Sequence, residues 1–191
     1  MQCFLIMSNH ILFALWFFLP AGIANVTPIL VSHVPGLSRL NVPLDNGWRF
    51  HGHRLFGAHK TWRGVLSGAF VGTLTVWLQV IGYRHSAWIR SVSQPVIYDH
   101  ISIFALGLLL SLGALIGDTI ESAVKRQVGV SDGQRWFPFD QVDYVVGGLI
   151  AVSFYIRLSL EEYGLILVIW FAMHLIFSYL GFLLKLKRQP I

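Results

Sequence analysis

Five of the nine carboxylates in this 191-residue chain fall between Asp118 and Asp143. The stretch Gly117-Asp118-Thr119-Ile120-Glu121-Ser122-Ala123-Val124-Lys125-Arg126 sets Asp118, Glu121, Ser122 and Lys125 at offsets of three, four and seven residues. That spacing lines one face of a helix. Phe137-Pro138-Phe139-Asp140-Gln141-Val142-Asp143 then brings two further acids three residues apart. Carboxylates from adjacent helix ends, Asp118 and Asp140, suit a hard divalent cation such as Mg2+. That ion takes one or two carboxylates and completes its shell with phosphate oxygens and water. Plainer roles exist for the same groups. Glu121 could pair with Lys125 in an interfacial stripe, and Asp140 or Asp143 could cap the helix they open.

Gly57-Ala58-His59-Lys60-Thr61-Trp62-Arg63-Gly64 supplies the opposite charge. Lysine offers a point charge and arginine a planar fork, and both bind phosphate. By spacing alone Lys60 and Arg63 serve equally well as membrane anchors beside an interfacial Trp62. His51, His53 and His59 lack a partnering helix or cysteine pair, so zinc is set aside. The single cysteine, Cys3, excludes an intramolecular disulfide and a cysteine-cage metal site.

The elements that position these residues must lie in a membrane. Hydrophobic residues make up 55% of the chain and charged residues 12%, against roughly 25% charged in soluble domains; the mean hydropathy is +0.64. A crossing needs roughly 20 mostly apolar residues, and five windows qualify: 11–31, 64–83, 101–123, 143–160 and 164–184. The expected fold is therefore an all-α integral membrane protein, one domain over 1–191, with about five transmembrane helices. Loops 32–63 and 124–142 build a polar cytoplasmic-face site. The last two spans are separated only by Glu161, Glu162 and Tyr163 and should form a tight hairpin. The first window lacks a basic leading segment, which argues against a cleaved signal peptide. Gly64, Gly68 and Gly72 form a small-residue ridge for close helix packing. In the 32–63 loop, prolines and glycines favour turns over helix.

The net charge of +5 has a topological reading. Arg39, Arg49, Arg54, Lys60, Arg63, Lys125, Arg126, Arg135, Lys185, Lys187 and Arg188 fall on one side of a five-span chain. Only Arg84, Arg90 and Arg157 fall on the other. The positive-inside rule puts the N-terminus outside and the C-terminus in the cytoplasm of a multi-pass plasma-membrane protein. This reading removes the reason to invoke nucleic acid as a partner.

The sequence resembles the CDP-archaeol synthases, small five-span membrane cytidylyltransferases related to CDP-diacylglycerol synthases. The matching blocks are Ala24-Asn25-Val26-Thr27-Pro28, Pro43-Leu44-Asp45-Asn46-Gly47 with Phe56-Gly57, His59 to Gly64, and Gly117-Asp118 through Asp143. The last is the most specific: GD-x-x-ES-x-x-KR-x-x-G, a proline, then D-x-x-D. Unlike the bacterial synthases, Pro138 is followed only by Phe139 before Asp140, and Asp140 precedes Gln141 rather than arginine. Both departures favour the archaeol-type branch. The resemblance implies transfer of a cytidylyl group from CTP to a lipid phosphate, archaeol-type or phosphatidate-like, with Mg2+ as cofactor. It implies catalytic roles for Asp118, Lys125, Asp140 and Asp143, with Asp118 and Asp140 on the metal. Substrate contacts would come from Asn25, Asp45, Lys60, Thr61, Arg63, Glu121, Ser122 and Arg126. Membrane lipids surround the chain, and a homo-oligomer is compatible with the sequence. The rival class of CDP-alcohol phosphatidyltransferases fails, because the one Asp-Gly, Asp132-Gly133, is not followed by the required Ala-Arg. A small transporter or channel with a polar cytoplasmic vestibule is the alternative. It would place acids at mid-membrane positions rather than at one face.

Overall fold

The structure is a computed structural model that describes residues 2–32, 34–131 and 134–185, with side chains from residue 8 onward. The Cys3 side chain, Asp132 and Gly133, and the tail cations Lys187 and Arg188 lie outside the described residues.

Five long helices form the body: α1 (Gln2–Val31), α2 (Trp62–His85), α4 (Ile103–Gln127), α5 (Phe139–Ser153) and α6 (Leu160–Leu183). Among the described residues, Ser8–Val31, Trp62–His85, Ile103–Gln127 and Leu160–Leu183 are long and apolar enough to cross a membrane. The first, second, third and fifth expected windows coincide with these four. The fourth does not fit its window. α5 starts at Phe139 rather than Asp143 and stops at Ser153, so its 15 residues reach only about 22 Å, less than the roughly 30 Å of hydrocarbon.

The physical reason lies in a strong restart signal. Ser159 Oγ accepts from the Glu162 amide at 3.2 Å, while Glu162 accepts from the Ser159 amide at 2.8 Å. This reciprocal cap opens α6 at Leu160. Glu161, Glu162 and Tyr163, expected as the connector, are instead the first turn of α6, and Phe154–Ser159 makes the link. The loop between α2 and α4 carries a short helix, α3 (Ala87–Val92), and a 3-10 turn at Tyr98–His100, neither of which was expected.

The long first loop follows its turn residues. It holds a 3-10 turn (Pro35–Leu40) and a small hairpin of β1 (Arg49–Phe50) and β2 (His53–Arg54). His51 and Gly52 join the strands with φ of 51° and 83°, the sign that tight two-residue hairpin turns require.

Close helix crossings are made at glycines. A Cβ on Gly64 would meet Pro28 Cβ at 2.9 Å, and one on Gly68 would meet the Ala24 carbonyl at 2.8 Å. The α2 ridge thus packs on α1, as its spacing suggested. A second seam joins α4 to α5. A Cβ on Gly113 would meet the Gly147 carbonyl at 2.8 Å, and one on Gly117 would meet Gly147 Cα at 2.9 Å and overlap the Asp143 carbonyl. The core between the helices contains Phe13, Phe17, Phe18, Leu110, Val145 and Trp170. Trp170 is fixed by its indole N–H donating to the Ala14 carbonyl at 2.9 Å.

Candidate active site

Thr61 precedes α2 and caps it, its hydroxyl accepting from the Gly64 amide at 3.3 Å. The same point is stitched to the long loop, where Leu44 N donates to Lys60 O at 2.8 Å and Trp62 N to Val42 O at 3.0 Å. These bonds hold the backbone of Lys60, whose ammonium reaches Asp118 of α4 at 2.5 Å. Asp118 follows Gly117, so the α4–α5 seam sets it beside the start of α5. There Asp140 accepts from the Trp136 amide at 2.5 Å and from the ammonium of Lys125.

Each of the two expected metal carboxylates therefore holds a lysine. Asp118 takes Lys60, and Lys125 goes to Asp140 rather than to Glu121, which corrects the interfacial-stripe reading. Glu121 lies against Asp140, and Asp143 feels both Asp118 and Glu121. When all four acids are ionised, they exceed the two lysines by two negative charges. Glu121 Oε1 is buried without a hydrogen-bond partner. Both features fit a divalent cation, since uncompensated buried negative charge is costly. Among the described residues no three His, Cys, Asp or Glu side chains are grouped to hold a metal alone. The residues suit an ion that borrows phosphate oxygens to complete its shell.

Two of these acids, Asp118 and Asp140, line a cavity of about 680 Å³ whose other walls come from α1, the first loop, α2, α4 and α6. That volume falls in the range of small-molecule sites. Of the expected residues, Asn25, Lys60, Thr61, Arg63, Asp118 and Asp140 line it. Asn25 sits six residues before the end of α1, so the cavity penetrates about 9 Å below the helix end. Arg63 Nε is buried with no hydrogen-bond partner, a donor suited to an anion. Glu121, Ser122, Lys125 and Asp143 are not among the lining residues; Lys125 and Ser122 are buried behind it.

Two expected contacts lie elsewhere. Arg126 donates to the Val130 carbonyl at 2.5 Å and closes the turn after α4. Asp45 is turned into its own loop, accepting from the Gly47 amide (2.9 Å), the Arg54 guanidinium (2.6 Å) and the Phe56 amide (3.2 Å). Burial alone would push the Asp45 carboxyl up, but Arg54 and the two amides outweigh it and hold the group below 3.8. Asp45→Asn should loosen this loop by about 2 kcal/mol, read as faster proteolysis between Pro43 and Lys60. Because the folded pKa is depressed, the ion pair stabilises the loop fully above the unfolded value. That contribution is lost as pH falls through the lower folded value. Limited proteolysis from pH 6 downward should show it.

The cavity also takes Ser32, Asn41, Thr119 and His174, which the sequence reading did not assign. His59 lines it too, having been weighed only for zinc. Of these, His174 carried a legible signal, an ionisable side chain inside an apolar span.

The family model described as CarS-like, CDP-archaeol synthase, matches residues 7–191. The chain belongs to the CDP-archaeol synthase family. Its relatives include the CDP-archaeol synthase of Pyrococcus furiosus, 33% identical over 95% of this chain and 99% of that protein. The Archaeoglobus fulgidus enzyme is 31% identical over 96% of this chain and 99% of its own. That of Thermococcus gammatolerans is 37% identical over 74% of this chain and 73% of its own. A solved intramembrane enzyme of archaeal membrane-lipid biosynthesis superposes with a TM-score of 0.67, at 25% identity, covering 86% of this chain and 92% of that one. Membership of the CDP-archaeol synthase family bears out the resemblance read from the sequence, as it does the multi-pass membrane fold. The transporter or channel alternative finds no support among these relatives.

Proposed function

We propose that this chain is a CTP-dependent cytidylyltransferase acting on an archaeol-type lipid phosphate in the membrane. The observation that carries the proposal is the cavity in which Lys60 and Arg63 share walls with Asp118 and Asp140. A phosphate oxygen of the lipid attacks the α-phosphorus of CTP. The bond from that phosphorus to the bridging oxygen breaks, and pyrophosphate leaves with the electron pair. The attacking oxygen is already anionic near neutral pH, so no side chain has to remove a proton. The work left to the protein is alignment and charge neutralisation.

Lys60 and Arg63 stand where the triphosphate enters from the first loop, and the buried Arg63 N–H is a ready donor for it. Asp118 and Asp140 would hold Mg2+, which when bound neutralises phosphate charge and polarises the reacting phosphoryl group. Lys125 positions Asp140 from behind the wall. Asp143, half-buried on the seam side, adds negative charge beside Asp118 and Glu121.

Purified protein with CTP, Mg2+ and a panel of lipid phosphates should yield CDP-lipid, fastest with an isoprenoid ether acceptor. A folded, CTP-binding preparation that gives no CDP-lipid with any acceptor would overturn the reading.

The orientation belongs to the same proposal, with the N-terminus outside and the cavity open to the cytoplasm. In a Cys3→Ala background, Trp88→Cys in the outer loop should react with an impermeant maleimide added to intact cells. Arg49→Cys should react only after permeabilisation. The reverse pattern would invert the protein in the membrane.

A further inference from the structure

α6 is apolar over most of its length. Between Tyr163 and Tyr179 His174 is its sole ionisable residue, and such a residue within a span is expensive unless a site uses it. His174 lines the cavity together with Asn25, Leu115, Asp118 and Asp140. The turn that carries it is held firmly. Its ring lies 6.0 Å from that of Tyr144. Tyr144 donates to the Trp170 carbonyl at 3.3 Å, and Trp170 donates in turn to Ala14 of α1. A helix turn held in this way presents the His174 ring to the cavity with little backbone ordering left to lose on binding.

The cavity has two kinds of wall. Lys60 and Arg63 come from the junction of α2 with the polar first loop, the route of a water-soluble nucleotide. The other wall is apolar and reaches the outside of the helix bundle. Ile29 of α1 lines the cavity and is also 66% exposed, so the cavity reaches the apolar outer surface of the helix bundle. Ile176 and Phe177, next to His174 on α6, are 50% and 60% exposed. An amphiphile can keep its tails in the bilayer there while its head group enters the cavity. The polar side chain α6 offers that head group is His174.

We propose that His174 is a binding residue for the phosphate of the lipid acceptor, its imidazole N–H donating to a phosphate oxygen on the lipid-facing side of the cavity. This rests on the cytidylyltransferase reading, and wild-type turnover tests that reading separately. Given a wild-type enzyme that forms CDP-lipid, His174→Ala should raise KM for an archaeol-type ether-lipid phosphate about tenfold or more. KM for CTP and the Kd for CTP by calorimetry should stay within about twofold of wild type. His174→Gln, which keeps a donor, should recover part of the acceptor affinity. A second measurement uses only the wild-type chain. Modification of His174 by diethyl pyrocarbonate, followed by mass spectrometry, should slow when the lipid phosphate is added and not when CTP is added alone. A rise in KM for CTP equal to that for the lipid, an unchanged acceptor KM in the variant, or protection by CTP alone would each overturn the assignment.

Discussion

Asp118→Asn and Asp140→Asn should each lower CDP-lipid formation by about 10³-fold or more, the scale set by removing preorganised charge from a transition state. Both variants should still insert in the membrane. The asparagine keeps the shape and removes the charge, so the change tests the ion site rather than packing. High Mg2+ should restore part of the activity if the carboxylates hold the ion. The stability costs should differ. Lys125 is only 7% exposed in its side chain against 24% for Lys60, so Asp140→Asn strands a more buried ammonium and should lower the melting temperature more. If Asp118 only anchored Lys60, its asparagine variant would retain substantial turnover with reduced stability. Asp143→Asn should be milder than Asp140→Asn, because Asp143 does not line the cavity. Near wild-type CDP-lipid synthesis by either Asp118→Asn or Asp140→Asn would remove the two-carboxylate site from the mechanism.

Lys60→Ala carries the second-largest expected effect, about 10²-fold in kcat/KM for CTP. The ammonium lies on the cavity wall in a 2.5 Å pair with Asp118. It is therefore desolvated enough to act on a phosphate, yet only 24% exposed rather than sealed in. A triphosphate and its cation together offer both partners a replacement, Lys60 taking phosphate and Asp118 taking metal. Such an exchange would couple nucleotide binding to metal binding. Lys60→Ala should therefore weaken CTP binding measured without the acceptor. Unchanged kinetics in a folded variant would leave Lys60 as a membrane anchor.

The long helices were legible because apolar length is a one-dimensional property: the Ser8–Val31 stretch of α1, and α2, α4 and α6, lie within a few residues of their expected windows. α5 was not, because the apolar run continues past its end. What stops and restarts the helix is the local hydrogen-bonding of Ser159 with Glu162, which a hydropathy window averages away. At the site, the blocks that carry the family resemblance contain Lys60, Asp118 and Asp140, and the fold brings these three to one cavity. Motif spacing could not tell which lysine meets which acid, because that depends on the rotation of α4 against α5, fixed by Gly113, Gly117 and Gly147. The loop bonding of Asp45 was illegible for a related reason. Its three donors are spread over residues 47 to 56, and only the folded loop brings them together. His174 sits in no matched block, and its meaning depends on which helix faces the cavity.

The shortness of α5 ties this enzyme to the thickness of its membrane. Its partners of 24 and 25 residues, α6 and α4, run about 36 Å, while α5 runs about 22 Å. The glycine seam forbids α5 from sliding along α4 to share the deficit. Lipid beside α5 must compress, or water and head groups must descend to meet the helix end, at a fraction of a kcal/mol per Å of mismatch. A dimple at the Asp140 end of α5 would carry the acceptor's phosphate toward that carboxylate before any protein contact is made. A membrane too thick to deform would hold the head group away from the acids, so the mechanical state of the bilayer becomes part of the rate.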